Sequence, residues 1–244
     1  MMKIGFLQLN SCSGCLFSVL GSPVFLDLLE SADIRIFRLI SNVQDDSKLD
    51  VLIVEGGVTQ EIEAALIRRY WTEGTKIIAI GSCAVLGGVM SGSENMQIHP
   101  INRFVDPDII LAGCPPPQRL IGNLLLSTLD GTEFELPKTN VCAECPFYQD
   151  QTYEVEITKL HPTEFPKNCF LRDGVLCLGP ITRAGCEAQC IKGGSPCDGC
   201  LGSPERNLPA AIANLFSVLK ISPEIQHYGA LAFRFQKPEL RVTR

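Results

Sequence analysis

Five short β-leaning runs, four of them followed by a turn and a helix-patterned stretch, fix what the first half of this chain can become. They are Lys3 to Leu9 (KIGFLQL), Ile34 to Ile40 (IRIFRLI), Asp50 to Glu55 (DVLIVE), Lys76 to Ile80 and Asp108 to Ala112. Apolar spacing at Leu16, Val19 and Leu20, and past Pro23 at Phe25, Leu28 and Leu29, predicts helix after the first run. Further helices are expected from Gln60 to Thr72, capped by Thr59, in a short stretch through Val85 and Leu86, and from just past Pro117 to about Leu129. The third run is apolar almost throughout, as a strand covered by helices on both faces has to be. Strands alternating with helices predict a parallel, doubly wound α/β sheet, and five strands suit the flavodoxin-like order.

In such a sheet, ligands sit just beyond the carboxyl ends of the strands. Cysteines occupy those places here. Cys12 and Cys15 (NSCSGC) follow strand one, Cys83 (GSC) follows strand four, Cys114 (GCPPP) follows strand five, and strand three ends on Glu55. Four thiolates are therefore expected to converge on one edge. Structural zinc is the rival use of four cysteines, but zinc knuckles draw ligands from nearby pairs in small segments that need the metal to fold. These four are spread across a large sheet, beside Gly14, Gly81, Gly87, Gly88 and Gly113. Glycines leave room for a bulkier group and expose backbone N–H groups to its sulfurs, which favours an iron–sulfur cluster.

Beyond Gly131 the strand and helix rhythm stops, and Pro137, Pro146, Pro162 and Pro166 interrupt the chain. We expect a flavodoxin-like domain over 1–133 and a small, irregular, cysteine-rich domain over 134–244. The second holds Cys142, Cys145, Cys169, Cys177, Cys186, Cys190, Cys197 and Cys200. Proximity along the chain groups the first four for one cluster and the last four for another, with ligand exchange between the sets left open. A segment so poor in apolar periodicity is expected to fold around its clusters. One further helix is expected from about Leu208 to Lys220, with Ala211, Leu215 and Leu219 on its apolar stripe; the tail from Ser222 carries no legible chemistry.

Composition narrows the function. A net charge of -6 argues against nucleic acid, whose phosphates want a basic stripe, so no nucleic-acid partner is expected. No run of eighteen apolar residues predicts a transmembrane segment. The stretch MMKIGFLQLN is too short and interrupted for a secretory signal, so the expected address is cytoplasmic. Twelve cysteines in a reducing compartment point to metal rather than disulfides.

Taken together, CSGC after strand one, EGG at Glu55, GSCAVLGG from Gly81 and GCPP from Gly113 resemble the small subunit of nickel–iron hydrogenases. CAEC at Cys142, CLGPITRAGCEAQC from Cys177 and CDGC at Cys197 look like the cytoplasmic members that pass electrons to a flavin subunit. The resemblance implies a proximal four-iron cluster on Cys12, Cys15, Cys83 and Cys114. It further implies a distal cluster on Cys142, Cys145, Cys169 and Cys177, with Cys142 where exported relatives have histidine. The medial cluster would use Cys186, Cys197 and Cys200, and Cys190, standing where exported relatives have proline, completes a four-iron set. The partners implied are a hydrogen-activating nickel–iron large subunit and a flavin-containing or ferredoxin-like electron-transfer subunit. No catalytic residue is expected in this chain itself. The alternative is an iron–sulfur relay in a related oxidoreductase complex without nickel–iron chemistry. Small subunits of the related respiratory complex carry one cluster and fit poorly. Leu16 and Phe17 follow Cys15 where the family commonly has an acidic residue.

Other polar residues are less defined. Glu55 reads either as an anchor for a ligand loop, as a residue at the subunit boundary, or as a plain turn carboxylate. Arg183 lies between ligands and reads either as a donor to a cluster sulfur or partner, or as a solvated arginine. His99, His161 and His227 have no partner spacing, and Tyr70 and Trp71 read as packing.

Overall fold

Register decides where every loop of the sheet ends up. The computed structural model describes residues 1–41, 47–92, 98–148, 155–204, 208–223 and 234–235. The chain divides into two units, Met1–Leu136 and Pro137–Arg244. In the first, β1 (Met2–Gln8), β2 (Ala32–Phe37), β3 (Val51–Glu55), β4 (Lys76–Ile80) and β5 (Ile109–Leu111) pair in the order β2-β1-β3-β4-β5. All four pairings are parallel. This is the flavodoxin-like arrangement, with its reversal of strand order between β1 and β3.

Side chains alternate across the sheet, so neighbouring residues serve different layers. Phe6 of β1 and Phe37 of β2 stack with ring centroids 4.4 Å apart, and Phe25 of α2 (Val24–Ser31) meets Phe37 edge-on at 5.9 Å. Such pairs contribute about 0.5–1.5 kcal/mol each beyond their burial. Leu7, Leu52, Val54, Ile77 and Ala79 instead pack with Ala64, Ile67 and Tyr70 of α3 (Glu61–Tyr70). Every residue of β3 is buried, which is why its sequence lacks alternation.

Three elements differ from the expected ones. The helix after Cys15 is two helices, α1 (Gly14–Leu20) and α2, bent by 79° where Pro23 cannot supply an N–H. Strand β2 stops at Phe37 because its carbonyl accepts hydrogen bonds from the N–H groups of Ile40 and Ser41 and turns the chain. Helix α3 starts after Gln60, not Thr59: Gln60 and Glu63 form a reciprocal capping box, contributing about 1 kcal/mol. Helices α4 (Gly81–Leu86) and α5 (Gln118–Asp130) complete the unit.

The second unit is irregular but not structureless. A two-stranded parallel ribbon, β6 (Glu156–Ile157) with β7 (Lys220–Ile221), flanks α7 (Leu208–Val218), and a short helix α6 (Gln189–Lys192) precedes the final cysteine pair. Ile157, Leu176, Leu178, Leu215 and Leu219 form one apolar cluster. Val141, Phe170, Val175 and Ile191 form another together with Cys177 and Cys197. Among the described residues no single helix is long and apolar enough to cross a membrane.

Candidate metal centres

Four strand ends stand level in the first unit: Gln8 pairs with Glu55, Glu55 with Ile80, and Ile80 with Leu111. The loops leaving these ends carry Cys12 and Cys15, Cys83, and Cys114. Register thus gathers residues a hundred positions apart in sequence. Cys15 lies within electrostatic reach of Glu55, Cys83, Cys114 and Cys12. Burial, followed by those negative neighbours, pushes its thiol far up; Cys83, for the same two reasons, is pushed up to about 11. Cys12 and Cys114 are exposed.

Two glycines make the space. A β-carbon on Gly81 would stand 2.4 Å from Cys15 Sγ, and one on Gly88 would stand 2.6 Å from Cys83 Sγ. Both have left-handed backbone, φ +89° and +70°, which only glycine adopts without strain.

Glu55 anchors the first ligand loop. It is 1% exposed, so it does not lie at a subunit boundary, and its oxygens accept hydrogen bonds from Cys15 N–H (3.1 Å) and Leu16 N–H (3.3 Å). These are first-turn donors of α1 that a helix leaves unpaired. The residue that should cap them, Ser13, has φ 65° and makes no side-chain cap bond. Burial raises the Glu55 carboxyl above its ordinary value against the pull of these bonds. A second anchor is Glu63, which accepts from Thr59 N–H, Gln60 N–H and Asn10 Nδ2 and so ties the Cys12 loop to α3. Burial works to raise its carboxyl, but hydrogen bonds from Gln60, Asn10 and Thr59 hold it below the ordinary range. Sequence reasoning missed Glu63, although its place three residues after Gln60 was a readable capping signal.

In the second unit, Cys142 feels Cys177, Cys169 and Cys145, and burial followed by these neighbours pushes it up to about 12. Cys177 is likewise raised by burial to about 11, despite hydrogen bonds from Gly179 and Cys197. A β-carbon added at Gly179 would be 3.5 Å from both Cys142 Sγ and Cys177 Sγ. Of the other four, Cys186 is raised by burial, with Glu144 and then Cys190 as its negative neighbours, and Cys197 is raised by burial, with Cys177 of the first group as its stronger negative neighbour and Cys200 as the weaker. The two groups touch where Cys197 N–H donates to Cys177 Sγ at 3.3 Å.

Arg183 does not donate to a sulfur in this arrangement. Its guanidinium donates to the carbonyls of Pro137 (2.6 Å), Ser203 (3.0 Å) and Pro204 (3.3 Å), closing the segment that carries the ligands. His99 pairs its backbone with Val58 and its ring with Arg103, His161 is exposed, and His227 lies outside the described residues. Tyr70 is buried packing, while Trp71 is 44% exposed.

Among the described residues no three or more His, Cys, Asp or Glu side chains are set to hold a single metal ion. The donor set is all thiol, the ligand chemistry of iron–sulfur clusters.

A doubly wound parallel sheet with thiols gathered at its carboxyl edge, joined to a cysteine-rich unit, defines an iron–sulfur-binding oxidoreductase subunit. Comparison with known proteins gives the family. The profile for the NADH ubiquinone oxidoreductase 20 Kd subunit matches residues 12–128, within the first unit. The F420-non-reducing hydrogenase vhu of Methanocaldococcus jannaschii has a subunit 30% identical to this chain, the match covering 100% of this chain and 97% of that one. Sulfhydrogenase 2 subunit delta of Pyrococcus furiosus is 28% identical over 90% of this chain and 92% of its own. The chain belongs to the family of nickel–iron hydrogenase small subunits. Solved structures share the fold: the nickel–iron–selenium hydrogenase from Desulfomicrobium baculatum (TM-score 0.59, 20% identity, 84% of this chain and 95% of that one) is one. The actinobacterial-type nickel–iron hydrogenase from Ralstonia eutropha is another (TM-score 0.62, 15% identity, 100% and 93%).

Proposed function

We propose that this chain is the three-cluster electron relay of a cytoplasmic nickel–iron hydrogenase, working between a hydrogen-activating large subunit and a flavin-containing or ferredoxin-like partner. Cys12, Cys15, Cys83 and Cys114 would hold the proximal cluster. Cys142, Cys145, Cys169 and Cys177 would hold the distal one, and Cys186, Cys190, Cys197 and Cys200 a four-iron medial one. The domains serving them are a flavodoxin-like unit and a cysteine-rich unit, with their boundary near residue 133.

The observation that carries this reading is the level alignment of the strand ends at Gln8, Glu55, Ile80 and Leu111, which brings four distant thiols to one edge. Burial and mutual repulsion keep these thiols neutral in the unloaded chain, and a bound cluster would hold them as thiolates by displacing their protons. Zinc knuckles take their ligands from nearby pairs, whereas these thiols leave separate strands, with Cys15 Sγ and Cys83 Sγ lying close against the backbone of Gly81 and Gly88. Each cluster, when bound, supplies a one-electron redox centre. The chain's own residues do the rest. Glu55 and Glu63 fix the first ligand loop, Gly81 and Gly88 admit the sulfurs, and Phe17, 61% exposed beside Cys15, offers apolar surface to the large subunit. The Methanocaldococcus relative is named as F420-non-reducing, and we extend that exclusion of F420 to this chain's acceptor.

The test is metal and sulfide analysis of the anaerobically purified native complex. About twelve irons and twelve sulfides per copy, after subtraction of partner clusters, with one nickel, is the expected result. The same iron without nickel would move the relay to another oxidoreductase, and zinc in place of iron would overturn the cluster assignment.

A further inference from the structure

Within the second unit, one carboxylate reaches from one ligand loop into the other. Glu144 lies inside the CAEC turn, between Cys142 and Cys145. Its oxygens accept hydrogen bonds from Gly185 N–H, at 3.0 and 2.9 Å, and from Glu187 N–H at 2.8 Å. These two donors flank Cys186, far along the chain from the turn that reaches them. The loop they belong to is strained: Glu187 and Ala188 have φ of 55° and 53°, left-handed values that non-glycine residues rarely hold, and Gly185 has φ 117°. Such a backbone lets the N–H groups of Gly185 and Glu187 meet one carboxylate, in the manner of an anion nest. Here the anion is supplied by the chain itself. A strained conformation persists only where its surroundings fix it, and the Glu144 carboxylate ties this one from outside the loop, alongside the loop's own bonds from Gln189 N–H to Cys186 O and from Lys192 N–H to Ala188 O.

We propose that Glu144 is a positioning residue that locks the Cys142–Cys145 turn to the Cys186 loop and, by its charge, holds the cluster at Cys186 at a lower reduction potential. The proposal rests on the cluster assignment above. Because both ligand loops share one clamp, the spacing of their thiols does not depend on the intervening chain. A negative charge beside Cys186 also disfavours adding an electron to whatever that thiolate binds. The two N–H groups that Glu144 engages are withheld from the sulfurs, which again disfavours reduction.

The experiment uses the native complex carrying Glu144→Gln or Glu144→Asp, purified anaerobically, with iron analysis and a redox titration followed by electron paramagnetic resonance. Glutamine keeps the length and one acceptor oxygen but removes the charge. We expect Glu144→Gln to retain its iron and to raise the reduced-to-oxidised ratio of one cluster about tenfold at a fixed potential, about 59 mV for one electron. Glu144→Asp keeps the charge and should bring the midpoint back toward wild type. Should Glu144→Gln lose iron, recovery of that iron in Glu144→Asp supports the clamp, and no recovery overturns it. Full iron with every midpoint unchanged in Glu144→Gln also overturns the proposal. A wild-type complex without iron would instead sink the cluster assignment itself.

Discussion

Replacing Glu55 by alanine tests how the first ligand loop is held. The side chain is 1% exposed and is the acceptor for two backbone donors of α1, Cys15 N–H at 3.1 Å and Leu16 N–H at 3.3 Å. Alanine leaves both without an acceptor in a site that water does not reach. A buried unsatisfied donor costs about 1–3 kcal/mol, so two cost roughly 2–6 kcal/mol, with about 4 kcal/mol the central value. A domain of this size has about 5–15 kcal/mol of stability, so the unit should still fold. With an m-value of about 2 kcal/mol/M, the urea midpoint should fall by about 2 M. Glu55→Gln keeps one acceptor oxygen but turns an NH2 toward the other donor, and should lose about half as much. The loosened helix carries Cys15, so iron in the anaerobically purified complex should fall in the same order, alanine below glutamine below wild type. Wild-type iron and an unmoved urea midpoint in both variants would refute the reasoning that Glu55 supplies the cap Ser13 does not.

Gly88→Ala forces a β-carbon to 2.6 Å from Cys83 Sγ on a left-handed backbone; backbone strain alone costs about 1–2 kcal/mol, and both iron content and melting temperature should drop. Arg183→Ala strips three carbonyls of their donor, and should lower stability by about 2–3 kcal/mol in urea unfolding; Arg183→Lys should recover little, since an ammonium lacks the planar fork. Glu63, held below its ordinary value in the folded chain, stabilises the fold above a pH of about 4.3, and that contribution is lost as pH falls through its folded value. The gap in urea midpoint between wild type and Glu63→Gln should therefore be full at pH 7 and shrink below a pH of about 4. A gap that persists unchanged in acid would show that the carboxylate charge is not what stabilises the Cys12 loop.

Some of this architecture was legible in the residues. Lys76 to Ile80 was readable as β4 to the residue, and DVLIVE as a strand covered on both faces, because apolar runs record burial directly. Placing Cys12, Cys15, Cys83 and Cys114 beyond the strand ends needed only the rule that doubly wound sheets expose their loops on one edge. Other features required contacts that sequence distance hides. Glu55 read equally well as a turn carboxylate, since the donors it caps lie far earlier in the chain and its own neighbours give no sign of them. Glu144 went unread for the same reason: its partners at Gly185 and Glu187 are in another loop. Arg183 stayed open between two readings, because a guanidinium among cysteines says nothing about which oxygens will surround it.

The sequence by itself determined the class of sheet and which thiols would leave its carboxyl edge, because periodicity and turn residues are local and additive along the chain. Only the tertiary structure decided which carboxylates hold the ligand loops and where the two C-terminal cysteine groups meet, at Cys197 N–H and Cys177 Sγ. Hydrogen bonds of this kind depend on a few tenths of an ångström and on direction. Strand register and packing set those quantities, and no spacing along the chain encodes them.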